Sequence, residues 1–340
     1  MKDNNNCLQN RGLDQYFRAV DRRISHLFSG LYDTDVRIGG KLLRFHFQTK
    51  EQKNYADILY TGAVCPRGQN RPDAEFFFWR EDLSPYLSAD RRDGGVWSVC
   101  DEAGFLKIVP SNSMIGGDYH RGRYYSCLEE EAGRADPSLM ENTLGIVFRW
   151  AFHCDLMLLH GAAVGTGGRG VLLGGRGGAG KSTLAAACLL RGMDFAGDDY
   201  VLVSRKGPFT AIPLFHTLKL CSDTEEMLSP GLPLLYTEEP SGKRLLDASG
   251  LTNCPALNIS CILFPRLSEG GRARIQKAPP GKALAQIVHS CMTQFGFTRE
   301  LPLIKEMLDR LGKLPVYEMY LSRDMEENVL CLEAFLKSGL

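Results

Sequence analysis

The sequence has no surplus of charge of either sign, no paired-cysteine motif and no long apolar run. Basic and acidic residues number 40 each in 340, for a formal net charge of zero. That balance gives no overall attraction to nucleic acid or to an acidic membrane surface. Eleven cysteines lie scattered from Cys7 to Cys331 without a C-x-x-C pair, the pattern of reduced thiols and not of a disulfide framework. The stretch 1–17 has no apolar signal-peptide core, and no apolar run approaches the ~18 residues that span a bilayer. Six histidines (His26, His46, His120, His153, His216 and His289) keep no zinc-ligand spacing. Together these absences predict a cytoplasmic protein with neither nucleic acid nor membrane as partner.

Two clusters read as structural. His153, Cys154 and Asp155 are adjacent in sequence, and neighbours rarely converge on one metal. Tyr124 and Tyr125 with Arg121 and Arg123 form one short basic segment in a neutral protein, read as a solvated loop.

Hydrophobic residues make up 44%, enough to bury a core, and the length allows two domains. The first, 1–135, reads as a smaller α+β domain. Apolar residues Leu13, Phe17, Val20, Ile24, Leu27 and Leu31 keep helical spacing over 13–31. Gly39 and Gly40 between β-prone runs predict a hairpin, and 76–79 and 105–109 read as further strands. Asp136 and Pro137 predict a helix N-cap and first turn, with the helix running to about 152. The second domain, 136–340, alternates strand and helix from 156 onward, the texture of an α/β unit. Later strands are expected at 214–220, 259–264, 273–276 and 316–321. Helices are expected at 282–293, 300–311 and 325–337.

The most informative stretch follows the apolar strand 171–173. Gly175, Gly180, Lys181 and Ser182 fit the G-x-x-x-x-G-K-S phosphate-binding pattern. Glycines let the backbone turn tightly and form an anion nest, to which the N-terminus of the following helix adds its dipole. Gly175, Gly177, Gly178, Ala179, Gly180, Lys181, Ser182 and Thr183 are therefore the expected nucleotide-binding residues, with ATP and Mg2+ as ligands. In this pattern Lys181 reaches the β and γ phosphates and the Ser182 hydroxyl ligates the metal.

Asp198 and Asp199 come 17 and 18 positions after Lys181, earlier than the acid of an ordinary Walker B strand. One carboxylate could hold Mg2+ and the other take a proton from an attacking hydroxyl. His160 ends a short apolar strand. It would lie near the γ-phosphate if 156–160 and 171–173 were neighbouring strands.

Residues 156–203 resemble the catalytic core of HPr kinase/phosphorylase and its relatives. A histidine-glycine strand end, a Walker A loop, a helix and paired aspartates recur there in order, over about 48 residues. The resemblance implies an α/β domain (α+β overall for the chain) of the P-loop type shared with phosphoenolpyruvate carboxykinase. It also implies that His160 organises phosphate, that Lys181 binds phosphate oxygens and that Ser182 sits on the metal. Asp198 and Asp199 would divide the base and metal roles. The family's later glycine- and arginine-rich signature is absent and the N-terminal part differs, which points away from HPr as substrate and from the reverse reaction.

A closer match in size and texture is the group of HPr-kinase-related proteins found with modified-peptide cassettes, some similar to lasso-peptide kinases. Resemblance to these marks 217–220, 242–244 and 264–266 as segments that could bring cations to the site. The function implied is ATP-dependent phosphorylation of a serine-like hydroxyl on a peptide or small protein, with the N-terminal domain positioning the acceptor. Homo-oligomerisation is a further implication of the family. A small-metabolite kinase and a nucleotide-binding accessory protein with little turnover are the alternatives.

Overall fold

The computed structural model describes residues 12–28, 30, 32–86, 97–109, 112–129, 137–239, 241–252, 254–268, 270–295 and 301–338. The chain divides into two compact units, Met1–Asp57 with Val64–His153, and Ile58–Ala63 with Cys154–Leu340.

The first unit contains, in chain order, α1 (Leu13–Ile24), β1 (Asp33–Ile38), β2 (Lys41–Phe47), α2 (Lys50–Leu59), β3 (Val64–Cys65), β4 (Ala74–Arg80), β5 (Trp97–Cys100), β6 (Gly104–Val109), β7 (Ser113–Asp118), β8 (Arg123–Leu128) and α3 (Pro137–His153). Its strands form one sheet in the order β3-β1-β2-β4-β8-β7-β6-β5. β2, β4 and β8 run parallel and the remaining pairs antiparallel. The expected hairpin is β1–β2: Ile38 pairs with Lys41, and both connecting glycines have positive φ, as a two-residue turn of this kind requires.

Side chains alternate across a strand. β4 therefore sends Phe77 and Trp79 to one face, packed with Tyr16, Phe17 and Val20 of α1. It sends Phe76 to the other, against Tyr124 and Trp150. Both faces are covered, which is why 76–79 is continuously apolar.

Several expectations need correction. The helix predicted over 13–31 ends at Ile24, and Leu27 and Phe28 pack on the core without continuing it. Tyr124 and Tyr125 are no loop but buried residues of β8. The division between units falls after His153 and not after 135, because α3 packs on β7 and β8 of the first sheet. α2 was missed because its sequence, KEQKNYADIL, carries few apolar residues to betray a helical period. Asp136, the expected N-cap of α3, lies outside the described residues.

The second unit contains β9 (Leu156–His160), β10 (Ala162–Thr166), β11 (Arg169–Leu173), α4 (Lys181–Leu190), β12 (Asp194–Phe195), β13 (Tyr200–Ser204), β14 (Thr210–Pro213), β15 (Thr217–Leu220), α5 (Ser222–Leu228), β16 (Leu234–Glu238), β17 (Lys243–Asp247), β18 (Leu257–Leu267), β19 (Arg274–Lys277), α6 (Pro280–Phe295), α7 (Leu301–Leu311), β20 (Val316–Leu321) and α8 (Met325–Lys337). A nine-stranded sheet runs β12-β10-β11-β18-β14-β13-β9, with β20 beside β18 and β19 beside β20. β11, β18 and β20 are parallel; the other pairs are antiparallel. α4 buries Leu184, Ala185, Cys188 and Leu189 against Val171 and Leu173 of β11, Cys261 and Leu263 of β18 and Val329 and Leu332 of α8. Asp324 caps α8, accepting from the main-chain N–H groups of Glu326 and Glu327.

Of the single strand expected at 214–220, only Thr217–Leu220 forms one, β15, and 214–216 lie outside any strand. β14 belongs to the large sheet, and β15 to a separate three-stranded sheet ordered β15-β17-β16. The chain crosses from one to the other at 214–216, where Leu214 and Phe215 remain buried.

The first unit's core depends on Phe17, fully buried and stacked on Tyr125 at 5.1 Å. Replacing Phe17 with Ala should destabilise the protein by about 3–5 kcal/mol, read by denaturant unfolding. A loss under about 1 kcal/mol would mean the ring is not a core element.

Candidate functional site

β11 delivers the chain into the glycine-rich loop 174–180, and α4 begins at once with Lys181. Gly180 caps the helix at φ 93°, and a Cβ there would stand 2.8 Å from a methyl of Leu321. Geometry and space therefore both require glycine at this position. Lys181 is 7% exposed, and its Nζ donates to the carbonyls of Gly175 (2.8 Å) and Arg176 (3.1 Å). Burial lowers its pKa, and the nearby charges of Asp198 and Asp199 oppose that shift. Gly177, Gly178 and Ala179 lie within the loop, and Ala179 N–H donates to the Arg176 carbonyl at 3.3 Å. Thr183 Oγ1 lies 3.3 Å from Thr224 Oγ1 of α5.

Asp198 and Asp199 fill the turn between β12 and β13. Asp199 takes φ 65°, a left-handed conformation that costs a non-glycine residue roughly 1–2 kcal/mol. Its carboxylate is gripped from two sides. His160 Nε2 lies 3.1 Å from Oδ1, and Lys219 Nζ of β15 lies 3.6 Å from Oδ2. Lys219 is held in turn by Glu238 at 2.7 Å, and Glu238 by the Ser241 hydroxyl at 2.7 Å. On the far side of the imidazole, His160 Nδ1 bonds the Ser290 hydroxyl of α6.

The two carboxyls are driven apart in acidity. Burial raises Asp198 to about 6, helped by the charge of Asp199 and opposed by the Ser182 hydroxyl and the main-chain N–H groups of Asp199 and Lys219. For Asp199 burial also pushes upward. The His160 hydrogen bond and the charges of Lys219 and Lys243 outweigh it, and its pKa falls below the ordinary value. Two adjacent carboxyls in such different surroundings are suited to different tasks.

His160 reaches this place by an unexpected route. β9 and β11 are not neighbours: β9 pairs with β13 at the far end of the sheet path, with His160 opposite Tyr200. Only Gly161 separates β9 from β10, however, and Ala162 of β10 pairs with Leu173, the last residue of β11. Gly161 N–H donates to the Asp199 carbonyl at 3.1 Å. The ends of the path therefore meet around the aspartates.

Among the segments marked as sources of cations, 217–220 supplies Lys219 directly. Lys243 acts on Asp199 through its charge, Arg244 pairs with Glu225 at 2.7 Å, and Arg266 is tied to Glu318 at 2.8 Å. Sequence reasoning missed Glu238 and Ser290, which sit in polar stretches without a distinguishing pattern. The adjacent trio behaves as expected of structural residues: His153 stacks on Tyr119 at 4.5 Å and Asp155 pairs with Lys206 at 2.9 Å.

Among the described residues, no three His, Cys, Asp or Glu side chains converge as a metal-binding group. Mg2+ needs no such cage, because it binds through one or two carboxylates, retained waters and substrate phosphates. The donor set here fits it. Both Asp198 oxygens are buried without a hydrogen bond of normal geometry, and the Ser182 hydroxyl is beside them.

The sequence matches no protein-family model and no curated protein. Among solved structures, the Hpr(Ser) kinase/phosphatase from Coxiella burnetii aligns at 12% identity, over 54% of this chain and 89% of that one, with a TM-score of 0.27. The site is therefore interpreted from its own geometry. Among the described residues, no helix is long and apolar enough to cross a membrane.

Asp198 also makes the stability of the fold depend on pH. Its folded pKa, about 6, exceeds the ordinary 3.8. The protonated form is thus favoured on folding, and this contribution is lost as pH rises through 6. The shift corresponds to about 3 kcal/mol. Asp198→Asn should therefore stabilise the protein by up to about 3 kcal/mol at pH 8, with the gain vanishing near pH 4. Urea unfolding at the two pH values reads this; a variant no more stable than wild type at pH 8 contradicts it.

Proposed function

We propose that this chain is an ATP-dependent phosphotransferase acting on a serine-like hydroxyl of a peptide or small protein. The observation that carries the reading is the split aspartate pair beside Lys181 and Ser182. One carboxyl is buried next to a metal-binding type of hydroxyl, and the other is held ionised by a histidine and a lysine.

In this reading Lys181 leaves the carbonyls of Gly175 and Arg176 to meet the β and γ phosphate oxygens. The loop 175–183 cradles the phosphates through its main chain and the start of α4. Ser182 and Asp198 would hold Mg2+, whose charge would offset that of the phosphate oxygens. Asp199, ionised at neutral pH, accepts the proton of the acceptor hydroxyl. His160, with its proton on Nε2, donates to Asp199 and fixes the carboxylate, while its Nδ1 accepts from Ser290. Lys219 holds the second carboxylate oxygen and is itself oriented by Glu238. The first unit is assigned the positioning of the acceptor.

Purified protein incubated with Mg2+ and γ-labelled ATP in extract of its native host should label a discrete peptide or protein. Asp199→Asn should lower the rate about 10²–10⁴-fold with nucleotide binding retained, and Lys181→Ala should abolish labelling. Lys219→Met should cost about 10–100-fold, as loss of an orienting partner does. Label that stays in ATP or free phosphate, while the wild type binds nucleotide, would remove peptide phosphorylation and leave the metabolite-kinase and accessory readings.

Metal affinity should also follow Asp198. Mg2+-dependent nucleotide binding should weaken as pH falls through about 6, where this carboxyl takes up its proton. Calorimetric titrations at pH 5 and pH 8 read the difference. Equal affinities would take Asp198 out of the metal site.

A further inference from the structure

The first unit carries a second charged feature that the phosphotransfer chemistry does not use. Arg18, Arg22, Arg71, Arg121 and Arg123 line an open cavity of about 650 Å³, together with only two carboxylates, Asp21 and Glu75. We propose that this cavity binds an acidic peptide segment through its arginines.

The arginines fall into two sets, and Arg18, paired with Asp14 at 3.0 Å, belongs to the first. Arg121 is fixed by Asp14 and Asp118, each at 2.8 Å, and Arg123 by Asp21 at 3.1 Å and Glu75 at 3.3 Å. These pairs build a rigid, nearly neutral wall. Arg22 and Arg71 are exposed and, among the described residues, form no ion pair; the Arg22 Nε donates only to the Arg18 carbonyl at 3.3 Å. Their forks are free to take carboxylates in the two-pronged geometry that guanidinium favours. The volume is that of a site for a few residues or a small molecule.

The chemistry of the wall selects the ligand. Glu75 is held ionised, chiefly by its hydrogen bond from His46 at 3.2 Å and by the charge of Arg123. A polyphosphate or nucleic-acid backbone would meet that fixed negative charge. The tyrosines nearby, Tyr124 and Tyr125, are buried and present no face for stacking a base. A peptide with spaced carboxylates can address separate arginines while its main-chain N–H groups turn toward Asp21 and Glu75. The proposal rests on the phosphotransferase reading only in linking such a peptide to the acceptor, and binding is tested without nucleotide so that either can fail alone.

The probe is a fluorescein-labelled octapeptide alternating Glu and Ala, titrated with the full chain at low salt and read by anisotropy. A peptide with Gln in place of Glu and a single-stranded DNA octamer run beside it. Wild type should bind the Glu peptide and not the Gln peptide. Arg22→Ala/Arg71→Ala should weaken binding about tenfold or more, and Arg22→Lys/Arg71→Lys should restore only part of it. Both positions are exposed, so the variants should melt with wild type, and a matching melting curve confirms that the loss is local. No binding of the Glu peptide, equal binding of the Gln peptide, an unchanged affinity in the double Ala variant, or tighter binding of the DNA would each overturn the proposal.

Discussion

The site depends on the charge of one carboxylate. Asp199 stands in a backbone conformation that disfavours a side chain, next to a second buried aspartate that repels it. Burial opposes its ionised form, and the hydrogen bond from His160 with the charges of Lys219 and Lys243 reverses the balance. Each gripping residue is positioned by a different part of the second unit. His160 comes from the last strand of the large sheet and is braced by α6 through Ser290, while Lys219 comes from the small sheet and is braced by Glu238. Three separate packing arrangements therefore meet on one pair of oxygens.

This explains why the large sheet takes the path it does. A strand carrying His160 must run beside β13 to reach Asp199, and β10 must run beside β11 to support the glycine-rich loop. A chain with only Gly161 between β9 and β10 satisfies both conditions, because glycine allows the close approach to the Leu173 carbonyl, which a Cβ would meet at 2.7 Å. The dense core of small and branched residues on α4 then holds the start of the helix against β11 and β18, so that Lys181 and Ser182 are fixed by packing and not by the loop alone.

The first unit follows a different logic. Its aromatic residues are covered on both faces of the sheet, and the charged groups of the cavity stand on α1, just ahead of β4, in the turn before β8 and at the starts of β4 and β8. There, ion pairs neutralise the inner arginines and leave two outer ones free. The same sequence segment, 121–125, thus supplies both core rings and charged wall: Arg123 lies over the Phe77 ring at 5.5 Å on the face that also buries Tyr125, while Tyr124 turns to the opposite face against Phe76.

The local chemistry was legible in the sequence. The spacing from Gly175 to Ser182 fixed a strand, a turn and a helix start, since only glycines allow that turn and the following residues favour a helix; β20 and α8 were equally readable from their periods. The paired aspartates and His160 were visible as residues of the right type. Their difference in acidity was not, because acidity depends on burial and on neighbours far away in sequence. Lys219 showed as a cation in a segment, 217–220, marked only by resemblance, and Glu238 and Ser290 as ordinary polar residues. Sequence alone determined which groups could act; the long-range pairing of β9 with β13, and of β15 with β17, decided which of them meet, because such contacts arise from the packing of whole sheets and leave no local signature.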